Sequence, residues 1–392
     1  MEISLKELNE EFGQKKRPLI LDVRNQEAVK KSNLTDYFDL PFKNIPFMTM
    51  LSENDSDDTD AVLKEYVQKH LKKTLSSQEP VVVVCAKGRS SKMVTDALIQ
   101  SGVKAKSLEG GMKAWGKFYE SKVVSDQKNL KIIQVIRPAR GCLGYLLSSE
   151  KEAVIIDPAH HLEVYRKLLS DNNLKLKCVL DTHAHADHIS GGKALADEYK
   201  ALYFLHPYDG IHPMDMLPAV FDYEFMKGEK TLKFGNAEIR AIHVPGHTLG
   251  NMAYLVNEEF LFTGDSIFIS SIARPDLGGK GDTWAPLHYR SLKKLLELKD
   301  STKILPAHFS GIQEADEKGV FVGTLRAIKS SNGDLKETEK SEEAFVDFIL
   351  ASLPDFPKEY IEIKRVNLGL SKPDEEKAEE LEQGKNLCAL VK

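Results

Sequence analysis

The stretch Thr182-His183-Ala184-His185-Ala186-Asp187-His188-Ile189-Ser190-Gly191-Gly192 sets three of the chain's 12 histidines within six residues, one residue after the apolar pair Val179-Leu180. Core packing does not call for imidazole at that density, whereas ligation does, because imidazole and carboxylate together suit zinc, iron or manganese. Two later segments have the same form, a strand-like run entering a glycine turn beside a ligand-type side chain: His243-Val244-Pro245-Gly246-His247-Thr248-Leu249-Gly250-Asn251 and Phe262-Thr263-Gly264-Asp265-Ser266. Pro306-Ala307-His308 follows the apolar pair Ile304-Leu305. These loops are expected to meet at one rim. His160, His161, His206, His212 and His288 lie outside the pattern and are expected to be ordinary structural histidines.

Outward from these loops, strand-like runs at 132–136, 143–147, 154–156, 179–180, 239–244, 260–263 and 304–305 are interrupted by helix-like stretches such as 287–298. The spacing predicts two sheets with outer helices. Upstream lies a second α/β stretch. Leu19-Ile20-Leu21 leads into Asp22-Val23-Arg24, and Val81-Val82-Val83-Val84 is the short β-branched run of a buried parallel strand. Met93, Val94, Ala97 and Leu98 then recur at helical spacing until Gly102. Residues 53–58 are acidic and predicted to be a surface loop, and the polar residues around 121–129 are predicted to be a linker. The charge-dense segment 372–385 reads as a solvated terminal helix or tail.

Cys85 follows the four valines and precedes Ala86-Lys87-Gly88-Arg89-Ser90-Ser91, so its sulfur is expected at a strand's end facing a helix N-terminus, a place that favours thiolate. Backbone amides of such a loop cradle anions, and Lys87 and Arg89 add positive charge.

Length and composition set the remaining bounds. A chain of 392 residues is expected to hold two or three domains. The 54 basic residues stand against 59 acidic ones and form no dominant patch, so nucleic acid is not an expected partner. No apolar run approaches the roughly 20 residues of a membrane span, and Met1 to Phe12 has no signal-peptide core. The four cysteines, Cys85, Cys142, Cys178 and Cys388, include no CxxC pair, which points away from a disulfide framework and toward a reducing cytoplasm.

Residues 1–122 resemble a single-domain rhodanese, through Leu21-Asp22-Val23-Arg24, Cys85-Ala86-Lys87-Gly88 and Leu108-Glu109-Gly110-Gly111-Met112-Lys113-Ala114-Trp115. The resemblance implies that Cys85 carries sulfane sulfur as a persulfide, while Lys87, Gly88, Arg89 and Ser90 bind the anionic substrate, thiosulfate or a persulfide. The family loop reads Cys-x-x-Gly-x-Arg-Ser. Here Ser90 holds the arginine position and Arg89 precedes it.

Residues 131–350 resemble the metallo-β-lactamase superfold, whose HxHxDH, GHT, GD and late-histidine motifs match the segments above. The chain is thus expected to be an α/β protein: a rhodanese-like parallel-sheet domain (1–122), a linker (123–130), an αββα sandwich (131–350) and a charged C-terminal extension (351–392). Within the superfold, similarity to persulfide dioxygenases implies one Fe(II) on His183, His247 and Asp265, with His185, Asp187, His188 and His308 orienting ligands or water. Arg274, in Ala273-Arg274-Pro275-Asp276, would then anchor a substrate carboxylate. Pro306-Ala307-His308 looks like the PAH of that family. The alternative is a binuclear zinc thioester hydrolase like glyoxalase II, with His183, His185 and His247 at one metal, Asp187, His188 and His308 at the other, and Asp265 bridging. The first reading implies a small thiol persulfide such as glutathione persulfide, O2, sulfite and thiosulfate as partners. Oligomeric state is left open, a homo-oligomer included.

Overall fold

The computed structural model describes residues 1–54, 56–75 and 80–390, in two compact units. The first comprises Met1–Phe118 with Gln383–Lys385, and the second Tyr119–Glu382 with the residues from Asn386 onward.

In the first unit β1 (Glu2–Ile3), β2 (Leu19–Asp22), β3 (Phe42–Asn44), β4 (Val81–Val84) and β5 (Ala105–Leu108) form one parallel sheet in the order β1-β5-β4-β2-β3. The four valines of β4 are all buried, which explains a run without alternation: both faces of a central parallel strand are covered. The helix Arg89–Gln100 follows and buries Val94, Ala97 and Leu98, as the spacing predicts. Residues 53–54 and 56–58 are exposed as expected, and Asp55 lies outside the described residues.

The second unit holds two sheets. Strands β6 (Glu120–Gln127), β7 (Leu130–Arg137), β8 (Cys142–Ser149), β9 (Glu152–Ile156), β10 (Lys175–Leu180), β11 (Leu202–Leu205) and β12 (Glu224–Phe225) lie in the order β12-β11-β10-β9-β8-β7-β6. Strands β13 (Thr231–Phe234), β14 (Ala237–His243), β15 (Met252–Val256), β16 (Phe260–Gly264), β17 (Lys303–Pro306) and β18 (Gly323–Thr324) follow in sequence across the other. Every residue of β8 and β15 is buried. Tyr145 of β8 meets Phe262 of β16 edge to face across the space between the sheets, with centroids 4.8 Å apart. Outside them, Tyr165, Leu169 and Leu195 cover the first sheet, and Ala285, Leu292, Leu295 and Phe345 cover the second. This is the expected four-layer sandwich.

Two expected boundaries are corrected. The predicted linker 123–130 is mostly strand: β6 pairs antiparallel with β7, Val123 opposite Ile133. Its polar composition is that of an edge strand facing water. The C-terminal extension is no loose tail: apart from Gln383–Lys385, which belong to the first unit, it is part of the second. The helix Glu342–Ala351 runs across the expected end at 350, and the helix Glu359–Asn367 buries Tyr360, Ile363 and Lys364. The helix Glu375–Leu381 exposes Glu375, Glu376, Lys377 and Glu380 but buries Ala378 and Leu381. Glu382 beyond it is buried and paired with Arg137 at 2.9 Å. Among the described residues no helix is long and apolar enough to cross a membrane.

Candidate metal centre and cysteine loop

The C-terminal ends of β9, β10, β14, β16 and β17 deliver Asp157, His183, His247, Asp265 and His308 to one region. Gly264 shows how closely the ends approach. Its φ is +50°, and a Cβ there would lie 2.7 Å from the Thr182 side chain, so only glycine lets β16 turn beside the first histidine loop.

His183, His247 and Asp265 are wholly buried, and their ligand atoms lie within 4.8 Å of one another. Asp265 Oδ2 is 3.1 Å from His247 Nε2 and 3.9 Å from His183 Nε2. Each ring is oriented by its other nitrogen. The Thr182 hydroxyl donates to Asp157 at 2.9 Å, so its oxygen accepts from His183 Nδ1, also at 2.9 Å. His247 Nδ1 donates to the Arg274 carbonyl at 2.7 Å. Both Nε2 lone pairs are thereby turned toward Asp265. Asn251 fixes the carboxylate's backbone, donating to the Asp265 carbonyl at 3.0 Å.

The Nε2 atoms of both histidines and both Asp265 oxygens are buried without a hydrogen-bond partner. Each such atom costs about 1–3 kcal/mol when left unsatisfied, and a cation among them would satisfy all four. Burial, then His185 and His247, pushes the His183 pKa well below its usual value, and burial also lowers that of His247. For Asp265 burial acts upward, but His308 and His247 outweigh it and hold the carboxyl ionised. Neutral imidazoles and an ionised carboxylate are what a metal requires. The residues therefore fit a divalent metal.

Beside this trio lies a second acidic and imidazole cluster. His308 Nε2 is 3.3 Å from Asp265 Oδ1 and 3.6 Å from Asp187 Oδ2. His188 Nδ1 is 3.2 Å from Asp187. Two thiols join it. Cys142 Sγ is 3.3 Å from Asp187 Oδ2, and Cys388 Sγ shares a 4.8 Å cluster with Asp187 and His308. Burial opposes protonation of His308, but Asp187 and Asp265 override it and raise its pKa well above the usual value.

The His185 ring lies beside His183, centroids 4.2 Å apart, but its Nε2 is engaged elsewhere. Its Nε2 is 3.1 Å from Asp157 Oδ1, and it clusters with Asp157 and Asp181.

Arg274 is not where the resemblance placed it. The side chain is completely buried, and all five N–H donors are engaged: Nε and Nη2 on the Asp276 carboxylate at 2.6 and 2.8 Å, the rest on the carbonyls of Pro354, Asp355 and Leu387. No donor is left for a substrate carboxylate. Arg274 serves the centre through its own carbonyl, which orients His247.

Several contributors had no motif to announce them. Asp209, buried after β11, accepts from the Ala184 amide at 2.9 Å, the Thr248 hydroxyl at 2.7 Å and the Gly250 amide at 2.8 Å. It ties the first histidine loop to the second. Asn367 donates to the carbonyls of His185 and His188 at 2.7 and 2.9 Å. Asp157 carried a readable signal, an acid closing the apolar run Val154-Ile155-Ile156 as Asp181 closes β10.

In the first unit Cys85 ends β4 with its sulfur nearly buried. Sγ accepts from the Gly88 amide at 3.1 Å and lies 3.2 Å from Ser91 Oγ, which itself accepts from Ser107 at 2.9 Å. The loop rests on the N-terminus of the helix Gly111–Gly116, where Met112 and Lys113 amides bond the Cys85 and Ala86 carbonyls at 2.9 and 3.0 Å. A Cβ on Gly111 would lie 2.2 Å from the Cys85 carbonyl oxygen, which is why Gly110-Gly111 accompanies the cysteine. Lys87 and Arg89 are exposed at the loop's mouth, and Gly88 and Ser90 are half-buried. Asp22 and Arg24 form a buried bidentate pair that braces the end of β2.

The profile of the rhodanese-like domain matches residues 4–118, and that of the metallo-β-lactamase superfamily matches residues 137–308. A hydroxyacylglutathione hydrolase of Pelagibacter ubique is 35% identical over 181 residues, covering 45% of this chain and 70% of that protein. Among solved structures, a metallo-β-lactamase from Staphylococcus aureus superposes with a TM-score of 0.55 at 26% identity, over 61% of this chain and 72% of the other. ETHE1 from Myxococcus xanthus gives 0.49 at 26% identity, over 60% and 97%. The chain belongs to the metallo-β-lactamase superfamily, whose fold binds metal ions, and it carries a rhodanese-like domain ahead of that fold.

Proposed function

We propose that the second unit oxidises a low-molecular-weight persulfide, using one Fe(II) per chain held by His183, His247 and Asp265. The reaction RSSH + O2 + H2O gives RSH and H2SO3, and glutathione persulfide is the expected substrate. The donor set carries this reading. Two imidazoles and one carboxylate lie within 4.8 Å, the facial combination of non-haem iron(II) oxygenases, while His185 is drawn to Asp157. Iron on that face would supply oxygen activation and a seat for the terminal sulfur. The chain's residues hold the geometry: Thr182 with Asp157 orients His183, and the Arg274 carbonyl orients His247. Asp187 and Asp265 favour the protonated form of His308, whose Nε2 lies 3.3 Å from Asp265 Oδ1. Burial of all these groups keeps bulk water from the ligand face.

In the first unit, Cys85 Sγ attacks the sulfane sulfur of thiosulfate or a persulfide. The donor's sulfur–sulfur bond breaks, sulfite or thiol leaves, and Cys85 keeps the sulfur as a persulfide. The Gly88 amide and the Ser91 hydroxyl steady the charge on sulfur. The four cysteines are all free, which fits a reducing cytoplasm. A sulfur carrier fused to a persulfide-oxidising site is chemically coherent, because one handles the species the other consumes.

A second reading, a binuclear zinc thioester hydrolase, draws support from the cluster of Asp187, His188 and His308 and from the likeness to a hydroxyacylglutathione hydrolase. Elemental analysis of protein purified without oxygen, with oxygen uptake on glutathione persulfide, separates the two. One iron per chain and persulfide-dependent uptake are expected. Two zinc ions, thioester cleavage and no uptake would overturn the dioxygenase.

A further inference from the structure

The helix Glu359–Asn367 lies against the metal centre along one face. Near its start the Tyr360 hydroxyl is 3.8 Å from Cys388 Sγ, and at its end Asn367 holds the carbonyls of His185 and His188. Residues four and seven positions on from Tyr360 share its face, so Lys364 falls between these two contacts, turned to the centre. Lys364 is only 3% exposed, its Nζ is not one of the fully enclosed polar atoms, and among the described residues it makes no hydrogen bond and no ion pair. Its charge reaches the ligands all the same, opposing protonation of His183 and His247.

The other buried cations of this unit have protein partners: Arg137 has Glu382, Arg140 the Asp187 carbonyl, and Arg274 the Asp276 carboxylate. A buried ammonium without one is unfavourable, and burial pushes the Lys364 pKa down, with Asp209 and Cys388 pulling it partly back. Such a charge is explained by a partner that arrives with the substrate. A divalent metal less the Asp265 charge leaves one positive charge, enough for a persulfide anion. A carboxylate on the carrier thiol needs a cation of its own.

We propose that Lys364 anchors a carboxylate of the low-molecular-weight thiol that carries the reacting sulfur, the role Arg274 has no donors to fill. This rests on the reading that the centre acts on a small thiol derivative, whether by oxidation or by thioester hydrolysis. Lys364 thereby selects carboxylated carriers over neutral ones.

The test uses the metal-loaded full chain with Lys364→Met and Lys364→Arg. Substrates are glutathione persulfide and the persulfide of glutathione diethyl ester, whose carboxylates are masked. For Lys364→Met we expect kcat/KM on glutathione persulfide to fall about 10- to 100-fold, mainly through KM, with the ester unaffected and Lys364→Arg recovering part of the loss. The Tm of Lys364→Met should hold or rise, because an apolar chain replaces an unpaired buried charge. Equal losses on both substrates, or a lowered Tm, would make Lys364 structural and overturn the proposal. Calorimetry with glutathione alone separates this failure from that of the dioxygenase reading. Glutathione affinity unchanged in Lys364→Met removes the anchor even where oxygen uptake is normal. Lys364-dependent glutathione binding in a protein that takes up no oxygen keeps the anchor and removes the dioxygenase.

Discussion

On the proposed function, the cysteine loop and the candidate metal centre would both stabilise charge on a reacting sulfur, and they are built in opposite ways. Around Cys85 the chemistry is contiguous: the Gly88 amide and Ser91 hydroxyl lie within six residues of the sulfur, and a glycine pair supports the loop from below. The metal centre is dispersed. Its three candidate ligands come from three strand ends spread from residue 183 to 265: Asp157 acts on His183 through Thr182, Arg274 on His247 and Asn251 on Asp265. A loop built from backbone amides tolerates a changed side chain, as with Ser90 at the family's arginine position. A dispersed centre depends on every tie.

The comparison is broken most severely by Asp265→Ala. It should abolish metal binding and persulfide oxidation while sulfur loading of Cys85 persists, checked by elemental analysis and by mass spectrometry after incubation with thiosulfate. Retained iron and rate would remove Asp265 from the ligand set. Cys85→Ser is the converse. Sulfur transfer should fall to background with oxygen uptake intact, and a variant that still transfers sulfur at the original rate would leave the first unit a binding module.

Asp209→Ala sharpens the contrast, because this residue touches no metal and yet joins two ligand loops. Metal affinity should fall about 10- to 100-fold, measured by competition with a chelator, with no change at Cys85. An unchanged affinity would mean that the loops hold their geometry without it.

The smallest effect concerns pH. His206 stacks on His243 with centroids 4.3 Å apart, and burial, with His243 next, lowers its pKa from the usual 6.5 to about 4. The unfolded chain therefore binds this proton more readily than the folded one, so stability is lost as pH falls from about 6.5 toward 4. His206→Phe should flatten that part of the Tm profile. A profile identical to the parent's would show that His206 titrates normally.

The candidate metal ligands were legible as candidates because they stand in short motifs at strand ends, and the four valines of β4 announced a buried parallel strand. What escaped reading was relational. Asp209 and Asn367 act through backbone groups in other segments, and no spacing rule marks a residue that bonds a carbonyl about 180 positions away. Arg274 misled for the same reason: its motif position was clear, but Asp276 and three distant carbonyls engage the whole guanidinium. The supposed linker misled through composition, since an edge strand is as polar as a loop.

Asn367 has a practical bearing on how the protein is handled. The superfamily match ends at His308, and a fragment cut there would contain every motif histidine while losing the side chain that holds the carbonyls of His185 and His188. Lys364 and Cys388 would go with it. The unit that holds the candidate metal centre is longer than the superfamily match, and chimaeras or truncations should be drawn from the far side of Cys388.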